Sequence, residues 1–173
     1  PGREEFAHLA EDLAEQVKKS TIRAVLGQEA DKAAIEHENP DLVVLATGGL
    51  PIDPDIPGRD CDHVVQAWDV LGKKVWPGSR VVVVGGGAVG VETALFLAEQ
   101  GTLSAEELRF LLLNQVEDCQ SLEEMAGRGT KEVVLIEMLD KIGRDIGKST
   151  KWTMLKEMKR LGIQSRTGTK ALE

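Results

Sequence analysis

Tyrosine is absent from this sequence, and aromatic residues make up only 3% of its 173 residues. A core must therefore be built from Val, Leu, Ile, Ala and Met rather than from stacked rings. Cysteine is scarce too. Cys61 and Cys119 are too few for a disulfide scaffold and too far apart for a redox pair, so they read as ordinary thiols. No apolar run approaches the roughly 20 residues that cross a bilayer, and no stretch reads as a signal peptide, so the expected compartment is the cytoplasm. Positive charge is in deficit. A formal net charge of -8 gives a field that repels nucleic acid and anionic membranes. It does not exclude a nucleotide held by local backbone groups. His8, His37 and His63 form no constellation, and no Ser or Cys is paired with a base. Acyl transfer therefore has no support, and neither a catalytic residue nor a metal site is expected in this chain.

What is present is ample apolar and charged material: 42% hydrophobic and 29% charged residues, enough for a core with a solvated surface and against wholesale disorder. Phe6, Leu9, Ala10, Leu13 and Val17 recur at helical spacing and predict an amphipathic helix over Glu4–Lys18. A short strand over Thr21–Gly27, a helix over Glu29–Glu36 and an apolar strand over Leu42–Gly49 follow. Pro51, Pro54, Pro57 and Gly58 then break the chain in close order. This is the seam expected between two units, with a helical turn at Ala67–Leu71 after it.

Beyond the seam, Arg80–Val84 is a continuous β-branched run, the kind expected of a parallel strand buried on both faces. A helix is predicted from Val89 to Glu99. The sequences Ser104–Glu107 and Ser121–Glu124 each read as a capping box opening a helix. A strand over Lys131–Glu137 follows. The next helix should be capped by Ser149 and closed by Gly162, with Trp152, Leu155, Met158 and Leu161 as its buried stripe; a last strand begins at Ile163. The alternation predicts an α/β fold: a Rossmann-like, three-layer parallel sheet with helices.

Between the first strand of that sheet and its helix lies VVVVGGGAVGVETA, Val81–Ala94. Gly85, Gly87 and Gly90 fit G-x-G-x-x-G in the strand-to-helix context that a dinucleotide site requires. Gly85 permits the tight turn, Gly87 lets a pyrophosphate approach, and Gly90 with Ala94 lets the helix pack close to the strand. Val89 opens the helix, whose first N–H groups face the phosphates. The ribose hydroxyls then need an acid at the end of the next strand. Glu137 stands there, well beyond the usual spacing of about 20 residues. A helical insertion over residues 102–129 accounts for the excess. The charge of Glu137 would favour NADH by repelling the 2′-phosphate of NADPH. Asp140 competes for the assignment, and Lys141 with Arg144 could instead support NADPH. Glu92, read as lying in the first turn of the helix, is open between a structural role and a contact near the nicotinamide. Thr47 and Gly48 end an apolar strand where a cofactor could pass close to the backbone, a pattern that many α/β strands share. The run Gly147–Thr150 lacks the upstream glycine of a phosphate loop.

These pieces together resemble the C-terminal half of the old-yellow-enzyme-related reductases, the family of 2,4-dienoyl-CoA reductase and 2-enoate reductase, with trimethylamine dehydrogenase as a relative. The resemblance rests, in order along the chain, on PGREEF, PDLVVLATGG, DIPG, VVVVGGGAVGVETALFLAEQG, the insertion, and IGRDIGKSTKWTMLKEMKRLGI. It implies an FMN-bearing (β/α)8 barrel with a four-iron cluster (4Fe-4S) outside these residues, and a half that binds FAD and NAD(P)H. A hydride would pass from NADH to FAD, and electrons onward through the cluster to FMN to reduce an activated C=C bond. Gly85, Gly87, Ala88, Val89, Gly90 and Glu92 match the pyridine-nucleotide motif, and Thr47 and Gly48 the segment lining FAD. The family's first glycine motif, for the ADP part of FAD, is not in this sequence, and neither are cluster cysteines. The resulting expectation has residues 1–57 as a partial FAD-domain remnant and 58–79 as a linker and the first turn of the NAD domain. Residues 80–173 would form a truncated NADH-binding domain, expected to be inactive alone. Its partners would be the barrel and the rest of the FAD domain, with non-native self-association through exposed edges. The alternative is an ADP- or nucleotide-binding module of structural or sensing role, resembling that of trimethylamine dehydrogenase.

Overall fold

A computed structural model describes residues 5–172, and the chain forms two compact units, Pro1–Leu50 and Pro51–Glu173. Residues 1–4, with the start of the first predicted helix and most of PGREEF, lie outside the described residues.

In the first unit, α1 spans Phe6–Lys19 and α2 spans Lys32–His37. Lys18 and Lys19 sit in the last turn of α1, where the helix dipole favours positive charge. The second helix starts later than predicted because Asp31 caps it, accepting the Ala34 N–H at 2.8 Å. Neither predicted strand of this unit forms. Thr21–Gly27 and Leu42–Gly49 pair with nothing in a ladder, although their composition favours extended backbone. A strand needs a neighbour for its N–H and C=O groups, and among the described residues of this unit none is supplied. None of them is buried either, and Leu42, Val44, Leu45 and Leu50 stand exposed.

The second unit carries the sheet. Helix α3 (Ala67–Leu71) precedes β1 (Arg80–Val84), and α4 (Ala88–Ala98) follows at once. The insertion contributes α5 (Ala105–Leu113) and α6 (Cys119–Gly127), which pack on each other. Then come β2 (Glu132–Ile136), α7 (Lys148–Arg160) and β3 (Gln164–Arg166). The three strands are parallel in the order β1-β2-β3, with Val83 opposite Leu135 and Leu135 opposite Ser165. This is the predicted Rossmann-like α/β arrangement.

Two crossovers running the same way along the sheet, each right-handed, put their helices on one face. Accordingly α4 packs on β1, β2 and α7. Val83, Val133 and Leu135 point into that layer and are buried with Val91, Ala94, Leu97, Met158 and Ile163. The opposite face corrects the expectation of a strand buried on both sides: Val82 is 59% and Val84 56% exposed. The stripe of α7 is also displaced. Met158 and Leu161 are buried as predicted, but Met154 packs with them, whereas Trp152 and Leu155 are exposed. Positions 154, 158 and 161 follow the helical repeat that faces α4.

The helix starts divide likewise. Ser104 and Glu107 form the predicted capping box at α5. At α6 the cap is Asp118, not Ser121. Its carboxylate takes the N–H groups of Gln120 and Ser121 at 2.9 Å each and lets the helix start earlier. At α7 the cap is Gly147, and Ser149 lies inside the helix.

Candidate functional site

In a parallel sheet every strand-to-helix connection lies at the same, carboxyl edge. The β1–α4 turn and the β2–α7 loop must therefore adjoin, and in this fold they interlock. The Gly85 N–H donates to the Ile136 carbonyl at 2.9 Å, and the Gly143 N–H donates to the Gly86 carbonyl at 2.7 Å.

Each glycine of the motif has a distinct reason to be there. Gly85 has φ +103, a conformation that L side chains rarely adopt. At Gly90 the space is lacking instead: a Cβ would stand 1.8 Å from the Gly85 carbonyl oxygen. The close approach of α4 to the turn thus depends on this one missing side chain. Gly87 is the N-cap of α4, with ordinary extended backbone; a Cβ there would come within 3.0 Å of the Asp145 carboxylate.

Glu137 follows β2 directly and is 9% exposed. One carboxylate oxygen accepts the Gly86 N–H at 2.6 Å, and the other accepts the Leu139 N–H at 2.8 Å. Two donors to a buried carboxylate are strong, charge-assisted bonds, and they fix the group against the glycine turn. Each oxygen keeps a lone pair for a further donor. Gly85, Gly87, Ala88, Val89, Gly90 and Glu137 are therefore brought to one end of the sheet.

Glu92 is half-buried on α4. Because α4 starts at Ala88, one residue earlier than predicted, and has no acid in its first turn, Glu92 falls just beyond that turn. The helix dipole, which acts within the first turn, therefore does little for its charge. Asp140 and Arg144 pair with each other, the guanidinium donating to the carboxylate. The Arg144 guanidinium holds the Asp140 carboxyl below the usual carboxylate range. Thr47 and Gly48 belong to the first unit. Both are exposed, Gly48 has φ +77, and a Cβ on it would meet nothing within 4 Å.

Sequence reasoning missed Asp145. It is exposed on the β2–α7 loop, yet both its carboxylate oxygens accept the Ala88 N–H at 3.0 Å, at the first turn of α4. Its only signal in the sequence was topological, an acid on the loop that must lie beside the glycine turn. Cys61 and Cys119 are free and exposed. Among the described residues no helix is long and apolar enough to cross a membrane.

The sequence profile of the pyridine nucleotide-disulphide oxidoreductase family matches residues 5–173. The chain is 43% identical to a metal reductase of Desulforamulus reducens over 100% of this chain and 26% of that protein. It is 32% identical to a bilirubin reductase of Mediterraneibacter gnavus over 98% of this chain and 22% of that one. A cinnamate reductase of Clostridium sporogenes is 40% identical over 49% of the chain. A solved 2-naphthoyl-CoA reductase, in complex with 2-naphthoyl-CoA, superposes with a TM-score of 0.60 at 26% identity. It covers 96% of this chain and 21% of its own. The chain thus spans about a quarter of the length of the relatives it matches. These relatives are oxidoreductases, and the resemblance drawn from the sequence is borne out.

Proposed function

We propose, from the premise that this chain belongs to the pyridine nucleotide-disulphide oxidoreductase family, that its second unit holds NADH and presents it to a flavin. The observation that carries this reading is the Glu137 carboxylate bound to the Gly86 amide. It stands at the end of the second strand beside a glycine turn, where an adenosine ribose would lie. The residues present fit such a ligand. The lone pairs left on Glu137 accept the ribose hydroxyls. The N-terminal N–H groups of α4, at Val89 and at Ala88 once Asp145 releases it, would face the pyrophosphate. Gly87 adds no side chain of its own on the backbone side, where the Asp145 carboxylate lies within 3.0 Å of the position its Cβ would take.

Glu137 also sets the choice of nucleotide. A 2′-phosphate on the ribose would meet a buried carboxylate already fixed by two amides. Of the two cations that would favour NADPH, Arg144 is engaged by Asp140 and Lys141 is exposed. The nicotinamide, when bound, supplies a hydride that an FAD accepts; this chemistry belongs to the cofactors. The chain's part is placement, and no acid–base catalyst is assigned to it. Thr47 and Gly48 would line part of FAD, and Glu92 would contact the nicotinamide side. Within a longer protein we infer onward transfer through a 4Fe-4S cluster and FMN to an enoate or enoyl-CoA C=C bond. The kinship with a cinnamate reductase and the likeness to a 2-naphthoyl-CoA reductase support it.

Calorimetric titration with NADH, NADPH and ADP tests the reading. NADH should bind at least about tenfold tighter than NADPH, a difference of about 1.4 kcal/mol. Glu137→Ala should weaken NADH and close the gap. Equal affinities for the two nucleotides, or a gap that survives Glu137→Ala, would overturn the assignment. Binding of ADP without NADH would favour a nucleotide-sensing or structural module.

A further inference from the structure

The Asp145 carboxylate lies where the proposed site needs an anion of another kind. Both its oxygens accept the Ala88 N–H at 3.0 Å, and a Cβ on Gly87 would come within 3.0 Å of the same group. It therefore occupies the space beside Gly87 and takes the first N–H of α4, the two features that a pyrophosphate would use. The loop that carries it is firmly seated. Ile142 and Gly143 are buried, and the Gly143 N–H is bound to the Gly86 carbonyl. Asp145 itself is exposed, so rotation of its side chain alone can carry the carboxylate into water.

We propose that Asp145 is an intramolecular anion that competes with the nucleotide pyrophosphate for the N-terminus of α4 and so sets the affinity of the site. The inference rests on the dinucleotide reading above. An incoming pyrophosphate must displace the carboxylate from the Ala88 amide and then bind beside a second negative charge. The carboxylate thereby satisfies the helix end while the site is vacant and opposes every ligand that brings a phosphate. A ligand without phosphate has no quarrel with it. The competition weakens with added salt, because the carboxylate is solvent-exposed and screened.

Asp145→Asn and Asp145→Ala test this, with NADH, ADP and adenosine as the probes and thermal melting as the check on folding. The asparagine keeps an acceptor for Ala88 and removes the charge; the alanine removes both. Both variants should bind NADH and ADP roughly fivefold more tightly than the unaltered chain at low salt. The gain should shrink in high salt, with adenosine affinity unchanged. Unchanged or weaker NADH binding in folded variants would overturn the competition while leaving the dinucleotide site standing. An equal gain for adenosine would also overturn it, since the effect would not be one of phosphate. If neither the unaltered chain nor either variant binds NADH, the dinucleotide reading falls and the competition with it.

Discussion

At the scale of the residue, Gly90 and Glu137 decide the geometry of the site. The 1.8 Å approach that a Cβ on Gly90 would make to the Gly85 carbonyl is to backbone, which cannot swing aside. Gly90→Ala should therefore cost about 3 kcal/mol, at the upper end of overpacking effects. Gly127→Ala is the control. Its Cβ would meet nothing within 4 Å, it closes α6, and it should change stability by less than about 1 kcal/mol. Urea unfolding of the two variants measures both, and equal effects would contradict the account. The glycines were legible in the sequence because each answers a local demand of the strand-to-helix turn. Glu137 was legible from its place at a strand end. Its bond to Gly86 was not, because it joins residues 51 apart in sequence. Asp145 stayed hidden for the same reason: exposed acids on loops are common, and only the folded loop puts this one on α4.

At the scale of the element, the insertion helices show how a cap fixes a start. Glu107 accepts the Ser104 backbone N–H and then its hydroxyl, and these hold its carboxyl below the usual range. Asp118 is lowered in the same sense by the Ser121 N–H and hydroxyl. A carboxyl whose folded pKa is depressed stabilises at neutral pH and loses that contribution as pH falls through its folded value. The starts of α5 and α6 should thus loosen on acidification below the ordinary carboxylate range. Carboxyl titration by NMR should find Glu107 and Asp118 below their unfolded values. Ser104→Ala should move Glu107 only part of the way back, since the backbone donor remains. A Glu107 that titrates normally in the unaltered chain would refute the cap's role. The sequence showed the box at Ser104 but mistook Ser121 for a second cap. The pattern of residues was right there, yet Asp118, three positions earlier, takes two N–H groups and wins. The strands over Thr21–Gly27 and Leu42–Gly49 failed for a different reason. Propensity is local, whereas a ladder needs a partner.

At the scale of the whole molecule, a three-stranded parallel sheet with helices on one face organises the second unit. The alternation of elements was legible because periodicity and turns are local signals. Which face the sheet would leave open was not legible, because β1 is apolar on both sides while α4 and α7 cover only one. The same topology brings the β1–α4 turn and the β2–α7 loop together, and the central claim rests on that junction. Its most direct test is an amide NMR titration of the chain with NADH. The account predicts that the N–H signals of Gly86, Ala88 and Leu139 move together, with one affinity, while those of α5 and α6 stay still. Shifts confined to other parts of the chain, or no shifts at saturating NADH, would contradict it.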